Sequence, residues 1–241
     1  MKYTIKNSIV LTLIVSSVTF AADVRVAHFS PDAPAVDVLV GTDDVNKSVI
    51  LENVSFPAVS DYLTVDDGNY FIDVAATGTT APVIDVNDIT LTGDLTIAAV
   101  NTLAEIEPIV LVDDRTVIDG IAKLRAVHAS PNAPAVDIFV DGAGLLPTLT
   151  DLEFKEATGY LELDPGAYTL RIRATGSTDD VFVVEDLQLD ASTNYSAFAI
   201  GELGSSFTVL PTVDAVPEPS GLGLCLLGGC LLAASRRRRF R

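Results

Sequence analysis

The sequence predicts an all-β fold: two tandem antiparallel β-sandwich domains between an N-terminal signal peptide and a short C-terminal transmembrane helix. Three observations lead there. The chain repeats itself at an offset of one hundred residues, too long a period for a solenoid and right for a duplicated domain. Between its ends, Val/Ile/Thr-rich runs of four to eight residues are separated by Asp/Gly/Pro/Asn clusters, as in strands and turns. No segment between the ends carries a helical period.

The N-terminus comes first. Lys2 and Lys6 precede an apolar run, Ile9 to Phe20, with a small residue, Ala21 or Ala22, for cleavage. This is a secretory signal layout, too short and wrongly flanked for a stable membrane span. Residues 1–21 are therefore assigned to the signal peptide, and signal peptidase and the secretion machinery are the first partners.

The two copies follow, residues 22–115 and 116–214. Val24-Arg25-Val26-Ala27-His28-Phe29-Ser30-Pro31-Asp32-Ala33-Pro34-Ala35-Val36-Asp37 recurs as Leu124-Arg125-Ala126-Val127-His128-Ala129-Ser130-Pro131-Asn132-Ala133-Pro134-Ala135-Val136-Asp137. At an offset of ninety-eight, Phe56, Tyr62, Gly68 and Tyr70 then match Phe154, Tyr160, Gly166 and Tyr168. Tyr168 to Arg173 alternates apolar and polar residues, and Ile84 to Leu91 and Val181 to Leu189 do so less strictly. About seven such runs per copy suit an immunoglobulin-like or transthyretin-like sandwich. Asp164-Pro165-Gly166 has the residues of a type II turn, with Pro and Gly at its centre. Tyr70 and Tyr168, just after their turns, are expected to bond back to the backbone.

Residues 215–241 form the last segment. Val216-Pro217-Glu218-Pro219-Ser220 leads into an apolar Gly/Leu-rich stretch, Gly221 to Ala234, and then into Arg236, Arg237, Arg238, Arg239, Phe240 and Arg241. Fourteen apolar residues reach about 21 Å as a helix, short of a hydrocarbon core of about 30 Å. The arginines place the terminus in the cytoplasm. Motif, apolar segment and arginine cluster, in that order, resemble the PEP-CTERM sorting signal of Gram-negative bacteria. That resemblance implies processing by an exosortase, an integral-membrane transpeptidase. The mature protein is then expected at the cell surface or in a polysaccharide-rich extracellular matrix, after a transient stay in the inner membrane.

Composition narrows the function classes. Both cysteines, Cys225 and Cys230, lie in the tail, so the folded part is held by core burial alone. The formal charge is −18, and seven of the fifteen basic residues sit in the two end segments. With Glu218 kept, the remainder carries eight basic against thirty-three acidic residues, a net of −25. Such a surface repels nucleic acid and anionic lipid.

The repeated motif is the one candidate site. His28 and His128 are the only histidines, with Ser30, Asp37, Ser130 and Asp137 nearby. A Ser/His/Asp hydrolase is disfavoured: there is no Gly-x-Ser-x-Gly elbow, and each serine directly precedes a proline. Strand alternation puts Val24, Val26 and His28 on one apolar face, and Leu124, Ala126 and His128 on another, so the histidines are expected in the core, hydrogen-bonded. One histidine per copy and no core cysteine exclude the usual zinc sets. Asp43-Asp44, Asp66-Asp67, Asp113-Asp114 and Asp179-Asp180 fit no EF-hand and lie in expected turns. No cofactor is expected; calcium between turn carboxylates is the one alternative.

The doubled His-x-Ser-Pro-x-Ala-Pro-Ala-Val-Asp pattern resembles the DUF4397 family of exported bacterial domains. It rests on His28, Ser30, Pro31, Pro34 and Asp37, and on His128, Ser130, Pro131, Pro134 and Asp137. It implies a β-sandwich and no established activity. The expected function is structural or adhesive, without enzymatic activity. A carbohydrate- or polymer-binding module, with extracellular polysaccharide as partner, is the alternative, and a hydrolase using His28 or His128 the second.

Overall fold

The computed structural model describes residues 21–141, 144–145 and 149–217. Residues 1–20 of the expected signal peptide, Cys225 and Cys230, and the tail from Glu218 onward, with Pro219 and Arg236 to Arg239, lie outside the described residues, while Ala21 begins the first strand. Among the described residues, no helix is long and apolar enough to cross a membrane.

The first copy runs β1 (Ala21–His28), β2 (Val36–Gly41), β3 (Ser48–Val54), β4 (Leu63–Asp66), β5 (Gly68–Ala76), β6 (Pro82–Leu91), β7 (Asp94–Val100) and β8 (Glu107–Val112). The second runs β9 (Ala122–His128), β10 (Val136–Val140), β11 (Gly144–Leu145), β12 (Leu161–Leu163), β13 (Gly166–Ala174), β14 (Asp180–Leu189), β15 (Asn194–Ile200) and β16 (Thr208–Ala215). A 3-10 turn, Leu103–Glu105, precedes β8. The fold is all-β, as the sequence predicts.

Each copy is two four-stranded sheets. In the first these are β4-β1-β7-β8 and β3-β2-β5-β6; in the second, β12-β9-β15-β16 and β11-β10-β13-β14. The sheets are not wholly antiparallel. β1 pairs with β7 in parallel, Val24 opposite Leu95, and β9 pairs with β15 in parallel, Leu124 opposite Tyr195. A parallel pair needs a crossover, and the partner sheet supplies it: β2, β3, β5 and β6 in the first copy, β10, β11, β13 and β14 in the second. Among the described residues each copy has eight strands rather than about seven.

The four sheets stack in layers. Val24, Val38, Ile72 and Ile97 fill the first sandwich; Leu124, Ile138, Ile172 and Ala197 fill the second. A further core joins them: Ala27, Phe29, Ala98, Val100, Ile109 and Leu111 of the first copy pack on Val127, Ala129, Phe198 and Ile200 of the second. The central strands of the two inner sheets, β1, β7, β9 and β15, are thus largely buried on both faces, while the edge strands β4, β8, β12 and β16 keep exposed residues. This explains why β15 (Asn-Tyr-Ser-Ala-Phe-Ala-Ile) is buried throughout and does not alternate, whereas β13 alternates with one face toward solvent.

The turn before β13 is not type II. Gly166 has no positive φ and already pairs with Leu189 as the first residue of β13. Strand pairing, rather than the Pro-Gly preference, sets its conformation. The tyrosines do bond back: the Tyr70 hydroxyl donates to the Asp66 carbonyl at 2.9 Å, and the Tyr168 hydroxyl to that of Asp164 at 2.7 Å.

Candidate functional site

The repeated motif closes one end of each sandwich. His28 ends β1 with its ring inside the first sandwich, 1 % exposed. Its Nδ1 accepts from the Ser30 backbone N–H at 3.3 Å, which leaves the proton on Nε2 to donate to the Pro34 carbonyl at 3.1 Å. His128 makes the same two bonds, to Ser130 N–H and the Pro134 carbonyl, at the same distances. Both rings thus staple the Ser-Pro-x-Ala-Pro loop to the strand before it. Burial holds both histidines below the ordinary value of 6.5, and the proline carbonyls only partly offset it. A cavity of about 20 Å³, room for one water, lies beside each ring.

The serines and aspartates of the motif serve other partners. Ser130 Oγ donates to the Gly201 carbonyl at 2.6 Å; Ser30 Oγ is buried without a hydrogen bond. Asp37 accepts from Asn53 N–H at 2.8 Å, Thr77 Oγ1 at 2.9 Å and Gly78 N–H at 3.2 Å; the backbone bond to Asn53 leads in holding its carboxyl below the usual range. Asp137 repeats this with Asp151, Thr175 and Gly176. Serine, histidine and aspartate of the motif therefore form no relay: both histidine nitrogens face backbone, and each aspartate caps two turns. Pro31 and Pro131 shape loops held by Asp32 and Asn132, whose side-chain oxygens accept from Leu103 and Leu203 N–H at 2.7 Å.

The strongest electrostatic feature lies on the opposite face of β1 and β9. Arg25 and Arg125 alternate with core residues, which marks them for solvent, yet each is 2 % exposed. Arg25 Nη2 donates to Asp214 of the second copy at 2.7 Å, and its Nη1 to the Val213 carbonyl at 3.2 Å. Arg125 reciprocates, binding Asp113 of the first copy and, at 2.9 Å, the Val112 carbonyl. Each guanidinium also reaches its own copy's neighbouring strand: Arg25 Nε to Thr96 Oγ1 at 3.1 Å, and Arg125 Nε to Ser196 Oγ at 2.7 Å. Tyr62 donates to Asp113, and Tyr160 to Asp214, each at 2.7 Å. The arginines lie over these rings, 4.8 Å from the Tyr62 centroid and 4.9 Å from that of Tyr160. Burial raises both tyrosine hydroxyls well above 10; the nearby arginines oppose it and the carboxylates add to it.

Asp113 is thus no turn residue; it is a buried counter-charge, because an arginine of the other copy must be neutralised there. Asp43 and Asp44 do lie in a loop. Among the described residues, no group of three or more His, Cys, Asp or Glu is placed to hold a metal. Sequence reasoning missed Arg25, Arg125, Asp113 and Asp214. The signal was present: an arginine repeated at the same offset as the motif, beside Ala27 and Phe29 on a face expected to be polar.

Two surface features complete the inventory. A cleft of about 380 Å³ is lined by Asp23, Asp94, Arg115, Val117, Ala215 and Val216, so the start of β1, the inter-copy linker and the end of β16 meet at one pole. Val216 and Pro217 leave from there, both exposed. A groove of about 410 Å³ runs between β14 and β16, past Glu185, Asp186, Pro211 and Val213. Tyr195 beneath it is 7 % exposed, its hydroxyl held by Asp190.

Among solved structures, the chain is similar to a carbohydrate-binding module of family 26 from Eubacterium rectale Amy13K, in complex with maltoheptaose. Identity is 10 %, the TM-score 0.26, and the match covers 82 % of this chain and 98 % of that one. A Bacteroides ovatus protein, provisionally described as a cell adhesion protein, matches at 8 % identity and a TM-score of 0.26, over 84 % and 100 % of the two chains. Likeness at this level carries no functional argument. A search of curated proteins finds no match. The model of a domain of unknown function, DUF4397, matches twice, over residues 22–139 and 122–222. The chain, carrying its motif twice on two stacked sandwiches, belongs to the DUF4397 family.

Proposed function

We propose that the protein is a structural or adhesive component of the cell surface or extracellular matrix, delivered there by an exosortase acting on its tail. One observation carries the structural part. The two copies exchange buried arginine–aspartate pairs across a shared apolar core, which makes a double domain into one stiff body. Two further points support it. The tail leaves from the same pole as the linker, so the motif loops point away from the attachment point. Neither the motif nor the network leaves a nucleophile beside an acid or base open to substrate; both are committed to holding the fold.

The test follows the tail. Mass spectrometry of the mature C-terminus, with the cell fraction recorded, is expected to find a protein ending near Pro217–Pro219 outside the cell. Full-length chain retained in the inner membrane would overturn the reading. The carbohydrate-binding alternative needs an open aromatic platform. Tyr62 and Tyr160 lie against arginines, Tyr70 and Tyr168 bind backbone, and Tyr195 is buried. Silence on a glycan array is therefore expected.

A further inference from the structure

We infer that Lys123 and Asn194 form an intramolecular isopeptide bond, with Asp114 as the acid–base group. The two residues are direct neighbours on the parallel strands β9 and β15, Asn194 opposite Lys123. Lys123 is 6 % exposed and Asn194 fully buried. Lys123 Nζ donates to Asp114 Oδ2 at 2.6 Å and to the Thr116 carbonyl at 2.8 Å. Asn194 Nδ2 donates to that same Thr116 carbonyl at 3.1 Å and to the Asp114 carbonyl at 2.7 Å. The amine and the amide thus meet across one oxygen atom. Two carbonyl acceptors fix the orientation of the amide, because its oxygen would be repelled there. Asn194 Oδ1 is left buried with no hydrogen bond. A buried lysine beside a partly exposed carboxylate and a buried amide with a bare carbonyl are a nucleophile, a base and an electrophile in one cluster.

The step balances without an oxidant. Asp114 takes one proton from the Nζ ammonium. The neutral amine attacks Cγ of Asn194, and the Cγ–Nδ2 bond breaks. Nδ2 receives a second proton from Nζ and the first back from Asp114, and leaves as ammonium. An amide joins Lys123 to Asn194, and Asp114 is a carboxylate again. The first copy is an internal control. Its matching positions are Asp23 and Asp94, paired across β1 and β7, with Arg115 bridging both carboxylates. That set holds no amine nucleophile and no amide, so the bond belongs to the second copy alone.

Tryptic peptide mapping of the denatured full chain decides it. The expected result is one branched peptide containing Lys123 and Asn194, lighter than the sum of its parts by one ammonia, with cleavage after Lys123 lost. Separate linear peptides would overturn the proposal. A peptide joining Lys123 to Asp114, lighter by one water, would overturn the choice of Asn194. Asp114→Asn is expected to leave both partners unlinked while circular dichroism still reports the β fold. Lys123→Arg, which keeps the charge, is expected to do the same. A branched peptide persisting in Asp114→Asn would remove Asp114 from its role.

Discussion

Arg25 and Asp214 are 189 positions apart in the chain and meet at 2.7 Å, both shut away from solvent. Their contact has a counterpart in Arg125 and Asp113, so each copy supplies the cation that the other copy's last strand requires.

Removing one member of such a pair leaves a buried charge alone. Arg25→Met is expected to cost about 3–5 kcal/mol, read by calorimetry or urea denaturation. The double variant Arg25→Met/Asp214→Leu is expected to recover much of that loss, since no charge remains to be answered. Lys155 and Glu107 also bridge the copies, at 3.1 Å, but about two-fifths of each side chain is exposed. Lys155→Ala is therefore expected to cost at most about 1 kcal/mol. Equal costs for Arg25→Met and Lys155→Ala would show that burial does not govern the junction.

The histidines give the protein an acid sensitivity with a defined sign. Their folded pKa values lie below the ordinary 6.5, so below that pH the unfolded chain binds protons that the folded chain refuses. Stability is full above about pH 6.5 and falls as pH drops toward the lower folded values. Two such groups set a slope of up to about 2.7 kcal/mol per pH unit. Melting temperatures across this window should flatten in His28→Gln/His128→Gln, measured against the wild type. An unchanged slope would mean that other groups carry the effect.

The two tyrosine corners are local. Tyr70→Phe and Tyr168→Phe keep the ring and lose one hydrogen bond each, to Asp66 and Asp164. Each is expected to cost about 0.5–1.5 kcal/mol in chemical denaturation, and the two effects should add, because the corners belong to different copies.

How much was legible in the sequence depends on which sheet a residue belongs to. The outer strands, β6, β13 and β14, have one wet face, and their alternation announces them. The inner strands β1, β7, β9 and β15 are buried on both faces, so period two fades. Their parallel pairing has no local signal at all, because it depends on how the intervening strands of the partner sheet carry the chain across. The core placement of His28 and His128 was readable from Val24, Val26, Leu124 and Ala126. Arg25 is easily passed over, because an arginine opposite a core face looks solvent-bound until the second copy covers it; only the apolar Ala27 and Phe29 beside it say otherwise. Gly166 was not readable, because a favourable turn dipeptide gave way to strand pairing with Leu189.

The crossed arginines bear on the history of the chain. If each half neutralised its own charges, deletion of one would leave the other intact. Once the counter-ions were traded, loss of one half strands an arginine and an aspartate in the remainder. Mutations that shorten the gene back to a single unit are then purged, and the duplication acts as a ratchet that turns one way.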